Sequence, residues 1–85
     1  MRTASGFEFE LDPKQLDDME LIEALADLDK NPTGIPRVLR LILGDDGKGR
    51  LYEHCRDESG RVPASRVAAE LVEIFRLGQD AVKKS

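Results

Sequence analysis

The chain has 85 residues, 40% of them hydrophobic and 35% charged, and a net charge of −4. That length holds one domain with a modest core, and the composition is that of a folded chain, not a disordered tail. The acidity argues against nucleic acid as a partner, because phosphate contacts need clustered Lys and Arg.

The charge is uneven. Residues 1–34 carry nine acids against three bases, and residues 35–85 carry eight acids against ten bases. Such asymmetry suits head-to-tail contacts between copies, and solvated faces explain it equally well. Cys55 is the single cysteine, so no intramolecular disulfide can form. No basic segment leads into a long apolar run near the start, so no signal peptide is expected. The most apolar stretch, around Leu41 and Leu43, is broken by Arg37 and Arg40. It is far short of the roughly 20 residues that span a bilayer. The expected location is therefore cytoplasmic, with no membrane partner. With Phe7, Phe9, Tyr52 and Phe75 as the aromatic residues, the core must be mainly aliphatic, which favours helices.

Residues 1–6 are small and polar and are expected to be disordered. Phe7, Phe9 and Leu11 then alternate with Glu8, Glu10 and Asp12, a period of two that reads as a short extended segment. It is expected to pack flat against helices; the alternatives are pairing with Arg61 and Val62 or with another copy. Asp12 and Pro13 offer a helix start, as N-cap and first helical residue. A first long helix is expected from Pro13 or Asp17 to Leu28, with Leu21, Leu25 and Leu28 on one face. Asn31, Pro32 and Gly34 stop it. Pro36 starts a second helix with Ile35, Val38, Leu39 and Ile42 as its core face, capped by Gly44. A third, from Asp45 or Asp46 to about Arg56, buries Leu51, Tyr52 and Cys55. A turn at 57–60 leads to a fourth helix, from Ala64 to about Leu77, with Val67, Leu71, Ile74 and Phe75 inward. Gly78 is expected to end it, and residues 79–85 to fray.

Little in this pattern points to chemistry. His54 and Cys55 are the only residues of their types, and neighbours on a helix point about 100° apart, which is wrong for a dyad. The same scarcity excludes a structural zinc site. Asp29, Asn31, Thr33 and Gly34 faintly follow a calcium loop, but Arg40 stands where that loop needs a bidentate Glu. The stretch 44–49 is glycine-rich without phosphate-loop spacing and reads as an interhelix loop. Carboxylate neighbours such as Asp17 and Asp18, or Glu20 and Glu23, read as solvated helix faces. No catalytic residue, metal ligand or cofactor site is expected, and the chain does not read as an enzyme. Arg37 and Arg40, one turn apart on an apolar helix, could face an acidic partner or pair with the acidic first helix. With the alternating Phe7 and Phe9, they are the candidate protein-binding residues.

The order of segments carries a resemblance. GFEFELD leads into LDDMELIEALADLD, then NPTGIPRVLRLILG, then RLYEHCRDESGRVP and a closing helix. This resembles the tail assembly chaperones of long-tailed bacteriophages, in the form found in phages and prophages of Gram-positive bacteria. Their pattern is an extended GFxF segment, an acidic DDxELLE helix, an NPxxxPxLLxxLLG helix and a KxLYxHLRxxxGRVP segment before a last helix. The likeness covers residues 6–77. It departs at Gly47 and Gly49, where the family has helix formers.

The resemblance implies a non-catalytic protein of the host cytoplasm, absent from the mature virion. Such proteins coat the tape-measure protein, help to recruit tail-tube protein, and self-associate. Many also exist in a longer frameshifted form. The expected fold is all-α: a small bundle of about four helices behind a short N-terminal extended segment, with residues 7–78 as one domain. The competing reading is a small helical regulatory or DNA-binding protein. Against DNA, the fourth helix offers Arg66 and Arg76 beside Glu70 and Glu73.

Overall fold

A computed structural model describes all residues except Asp12, Asp29 and Ser85, and gives no side-chain surroundings for Pro13, Pro32 and residues 82–84. The fold is all-α, with four α-helices among the described residues. They are α1 (Pro13–Leu16), α2 (Met19–Leu28), α3 (Ile35–Cys55) and α4 (Ala64–Lys84), with a 3-10 turn at Pro32–Gly34 before α3. The role of Asp12 as N-cap lies outside the described residues, as does Asp29 of the calcium-loop pattern.

The N-terminal segment differs from the expectation of disorder. Residues 1–9 fold back on themselves as a tight hairpin. The Thr3 N–H donates to the Phe7 carbonyl at 2.9 Å, and the Phe9 N–H donates to the Met1 carbonyl at 2.9 Å. Arg2 and Glu8 face each other as an antiparallel bridge. The extended segment thus takes its partner from residues just before it, and neither Arg61 and Val62 nor a second copy is needed. What orders this arm is the burial of Phe7 and Phe9, which are 4% and 3% exposed in the core. Their rings stack at 6.1 Å, and Phe7 also meets the His54 ring at 5.5 Å. The expected packing against helices is therefore observed.

The first helix is shorter than its apolar pattern suggests. It breaks at Asp17 and Asp18 into α1 and α2. Asp18 caps α2: its Oδ1 accepts the Glu20 N–H at 2.9 Å. The capping bond offers the backbone an alternative to continuous helix. Leu21 and Ala24 of α2 are buried against α3.

The second and third expected helices both form and abut within α3, meeting at Gly44 as expected, while residues 45–49 are helical instead of a loop. The single departure is Gly44, at φ 76° and ψ 173°. That region is open essentially to glycine alone, so the sequence places its break where a side chain would be strained. Val38, Leu39 and Ile42 before the break and Leu51 and Cys55 after it all reach the core.

Asp57 holds the α3–α4 turn. Its Oδ1 accepts the Ser59 N–H at 2.9 Å, the Ser59 hydroxyl at 2.6 Å and the Arg61 N–H at 3.2 Å. Helix α4 then passes through Gly78 and continues to Lys84, where an end at Gly78 and a frayed tail were expected. Gly78 is buried, and a Cβ there would run into Leu11 Cδ2 and lie 3.1 Å from Leu16 Cδ1. The glycine is a contact point for the arm and α1, and the helix continues because packing outweighs its cost of about 1 kcal/mol relative to Ala.

Candidate protein-binding surface

The sequence-flagged residues separate into two groups. Phe7 and Phe9 are core residues, buried under the arm, and offer no surface to a partner. Their alternation gave no sign of which side would be covered. Arg37 and Arg40 are exposed on the outer face of α3. The ion pairs among the described residues join Arg2 with Glu8 and Arg56 with Glu53, so neither Arg37 nor Arg40 is paired with the acidic α2. The structure does not bring the two groups together.

His54 and Cys55 point apart, as helix geometry requires. His54 meets the arm: its Nε2 lies 2.9 Å from Ser5 Oγ. Ser5 donates its one proton to Glu70 Oε1, and Thr3 Oγ1 lies 3.1 Å from Ser5 Oγ. A hydroxyl has one donor and two acceptor positions, so His54 Nε2–H and Thr3 Oγ1–H must both donate to Ser5. In this arrangement His54 is not a base for Ser5, and the cluster is a latch. Glu73 adds to it by accepting the Ala4 N–H at 2.6 Å. Cys55 is buried. Burial first, and then the Glu70 charge, push its thiol pKa up, against a smaller opposing effect of Arg66. A thiol held protonated is a poor nucleophile and a poor metal ligand. Among the described residues no three His, Cys, Asp or Glu side chains gather as a metal site, and no helix is long and apolar enough to cross a membrane.

The arm borders a cleft of mixed charge, lined by Arg2, Glu8, Glu10, Asp46 and Arg50 among others. Arg50 spans part of it, with its guanidinium 5.8 Å from the Phe7 ring centroid and its Nη1 3.4 Å from the Glu8 carbonyl. These contacts tie the arm down and leave no set of like charges for a ligand.

The apolar opening lies elsewhere, where the starts of α3 and α4 meet. A groove of about 550 Å³ is lined by Thr33, Ile35, Pro36, Tyr52, Val62, Ala64 and Val67. None of these described lining residues is charged. Pro36 and the 3-10 turn hold one wall, and the Val62–Pro63 entry to α4 holds the other. Three basic residues stand near the lining in sequence: Arg40 one turn after Pro36, Lys48 one turn before Tyr52, and Arg61 next to Val62; Glu53 stands equally next to Tyr52. None of the three basic residues is in an ion pair among the described residues. Reading the sequence alone missed this groove, because its lining comes from three separate segments whose apolar residues all resemble core positions. The one available signal was Pro36 and Arg40 sharing a face.

Searches against protein families, curated proteins and solved structures find no match to this chain.

Proposed function

We propose that this chain is a tail assembly chaperone of a long-tailed phage or prophage, which shields helical segments of the tape-measure protein in the host cytoplasm. It assists tail-tube assembly and leaves before the virion is complete. The observation that carries this reading is the open apolar groove between the starts of α3 and α4. An amphipathic helix docks in such a groove through apolar anchors spaced at i, i+3, i+4 and i+7. The ordered resemblance over residues 6–77 supports it; its segments fall on the end of the arm, on α2, on the 3-10 turn with the first half of α3, and on the end of α3 with the turn into α4. The role is one of binding, and we assign no catalytic residue. Arg40, exposed one helical turn after Pro36, keeps a part in this account, as a contact for acids flanking the bound helix. Phe7 and Phe9 act by holding the fold.

The test is co-expression with the tape-measure protein encoded in the same genome. Wild-type chain is expected to keep that protein soluble and to co-purify with it. Pro36→Asp places a charge on the groove at an exposed position near the start of α3, where an acid suits the helix dipole. It is expected to fold and to lose the partner. A tape-measure protein that stays insoluble with the wild-type chain would overturn the proposal.

A further inference from the structure

Helix α3 brings two distant pieces of the groove together. Ile35 and Pro36 line it from the start of α3, and Tyr52 lines it from near the end. On a continuous helix Pro36 and Tyr52 would stand about 24 Å apart along the axis and about 160° apart around it. A groove of about 550 Å³ does not reach across that separation. The core residues require the same bend. Val38, Leu39 and Ile42 precede Gly44, and Leu51 and Cys55 follow it. On a continuous helix the two sets would face nearly opposite directions, about 170° apart, yet all of them are buried in one core. The departure at Gly44 therefore turns the second half of α3 until both sets face inward and Tyr52 joins Pro36.

Two glycines make this turn possible, each for its own reason. Gly44 lies at φ 76° and ψ 173° with nothing within 4 Å of where a Cβ would be, so its constraint is the backbone alone. Gly47 is buried, and a Cβ there would lie 2.7 Å from Leu43 Cβ. Residues four apart on a regular helix keep their Cβ atoms about 5–6 Å apart, so this clash exists only because the helix bends. Gly49 has open space where its Cβ would be. The two glycines at which the family resemblance departs are thus different: the bend requires Gly47 and not Gly49.

We propose that Gly44 and Gly47 are the positioning residues of the groove. Gly44 supplies the left-handed turn that brings Tyr52 to Pro36, and Gly47 leaves the room in which Leu43 lies against the second half of α3. That the groove holds a client rests on the function proposed above; its construction does not.

Residual dipolar couplings of the backbone N–H bonds, measured on the full chain without a client, read that construction. Residues 35–43 and 45–55 of the wild-type chain are expected to report two axes inclined to each other. Gly49→Ala is expected to keep that angle, to capture the tape-measure protein as wild type does, and to melt at a higher temperature, because alanine favours a helix. Gly47→Ala is expected to stay helical, to change the angle and to lose most of the capture. A chain with D-alanine in place of Gly44, joined from two synthetic pieces at Cys55, favours the backbone that L-alanine avoids. It is expected to melt above Gly44→Ala and to capture as wild type does. One common axis in the wild-type chain would overturn the proposal. So would a folded Gly47→Ala with the wild-type angle or the wild-type capture, or a D-alanine chain that melts no higher than Gly44→Ala. Should Gly47→Ala fail to fold, the wild-type axes and the D-alanine comparison remain decisive. Inclined axes in a wild-type chain that leaves the tape-measure protein insoluble would keep the construction of the groove and remove the chaperone reading.

Discussion

The N-terminal arm and the α3–α4 groove are both rich in apolar side chains, yet one is sealed and the other open. In the arm, Phe7 and Phe9 stack on each other and lie under the hairpin. A latch of Thr3, Ser5, His54 and Glu70 closes its edge. In the groove, Ile35, Pro36, Tyr52 and Val62 line a space that no described segment of the chain fills. The contrast teaches that alternation of apolar residues reports a face to be covered and does not say what covers it. The arm is covered from within the chain, and the groove is left for something else. Substitutions in the arm should therefore act on stability, and substitutions in the groove on binding.

The sharpest way to break this comparison is Phe9→Ala. Emptying a buried aromatic site costs about 3–5 kcal/mol, a large share of what a domain this small has. The urea midpoint of unfolding should collapse, whereas Val62→Ala in the groove should cost about 1 kcal/mol or less. Similar losses at both sites would erase the distinction.

Gly78→Ala comes next. The added methyl enters the space of Leu11 and Leu16, and overpacking of this kind costs about 1–3 kcal/mol. An ordinary helical glycine at a solvent face would instead gain stability on the same change. Thermal melting thus decides whether the arm and α1 are seated on α4 as described.

Ser5→Ala should cost less, about 1–2 kcal/mol, because it strips the donor from Glu70 Oε1. Glu70 Oε2 is already buried without a partner, so the carboxylate would be left with none among the described residues. Amide hydrogen exchange should then quicken at Thr3, Phe7 and Phe9 and remain unchanged near Tyr52. Uniform change across both regions would mean that the latch does not belong to the arm alone.

The smallest effect is at the turn that enters the groove wall. The Ser59 hydroxyl bond is the main reason that the Asp57 carboxyl is held below its ordinary value of 3.8. A carboxyl depressed on folding contributes stability that is present above its unfolded pKa and lost as pH falls through its folded pKa. The acid limb of a stability–pH curve should therefore lose a small component below about pH 3.8 in Asp57→Asn. Asp57 lies on a partly exposed turn, so solvent screening keeps the difference slight, and it is best read from the Asp57 and Ser59 resonances on titration.

Much of the helical fold was legible in local pattern. Leu21, Val38, Leu39, Ile42, Leu51, Val67, Leu71 and Ile74 were all expected inward and are all buried. A periodicity of 3.6 is a property of neighbours along the chain, and burial follows from it wherever helices pack. The break at Gly44 was legible for a similar reason, since glycine alone tolerates that backbone.

The rest depended on contacts between distant residues. Residues 1–6 carry no pattern of their own and are ordered by Phe7, Phe9 and α4. Gly78 reads as a helix end, and only the approach of Leu11 and Leu16 makes it a helix interior. The groove joins residues near positions 35, 52 and 64, none of which signals an opening by itself. The sequence by itself determined which residues form helices and which faces seek cover, because those depend on local backbone preference and hydrophobic spacing. The tertiary structure alone decided which of those faces were covered, because that depends on which distant segment arrives there.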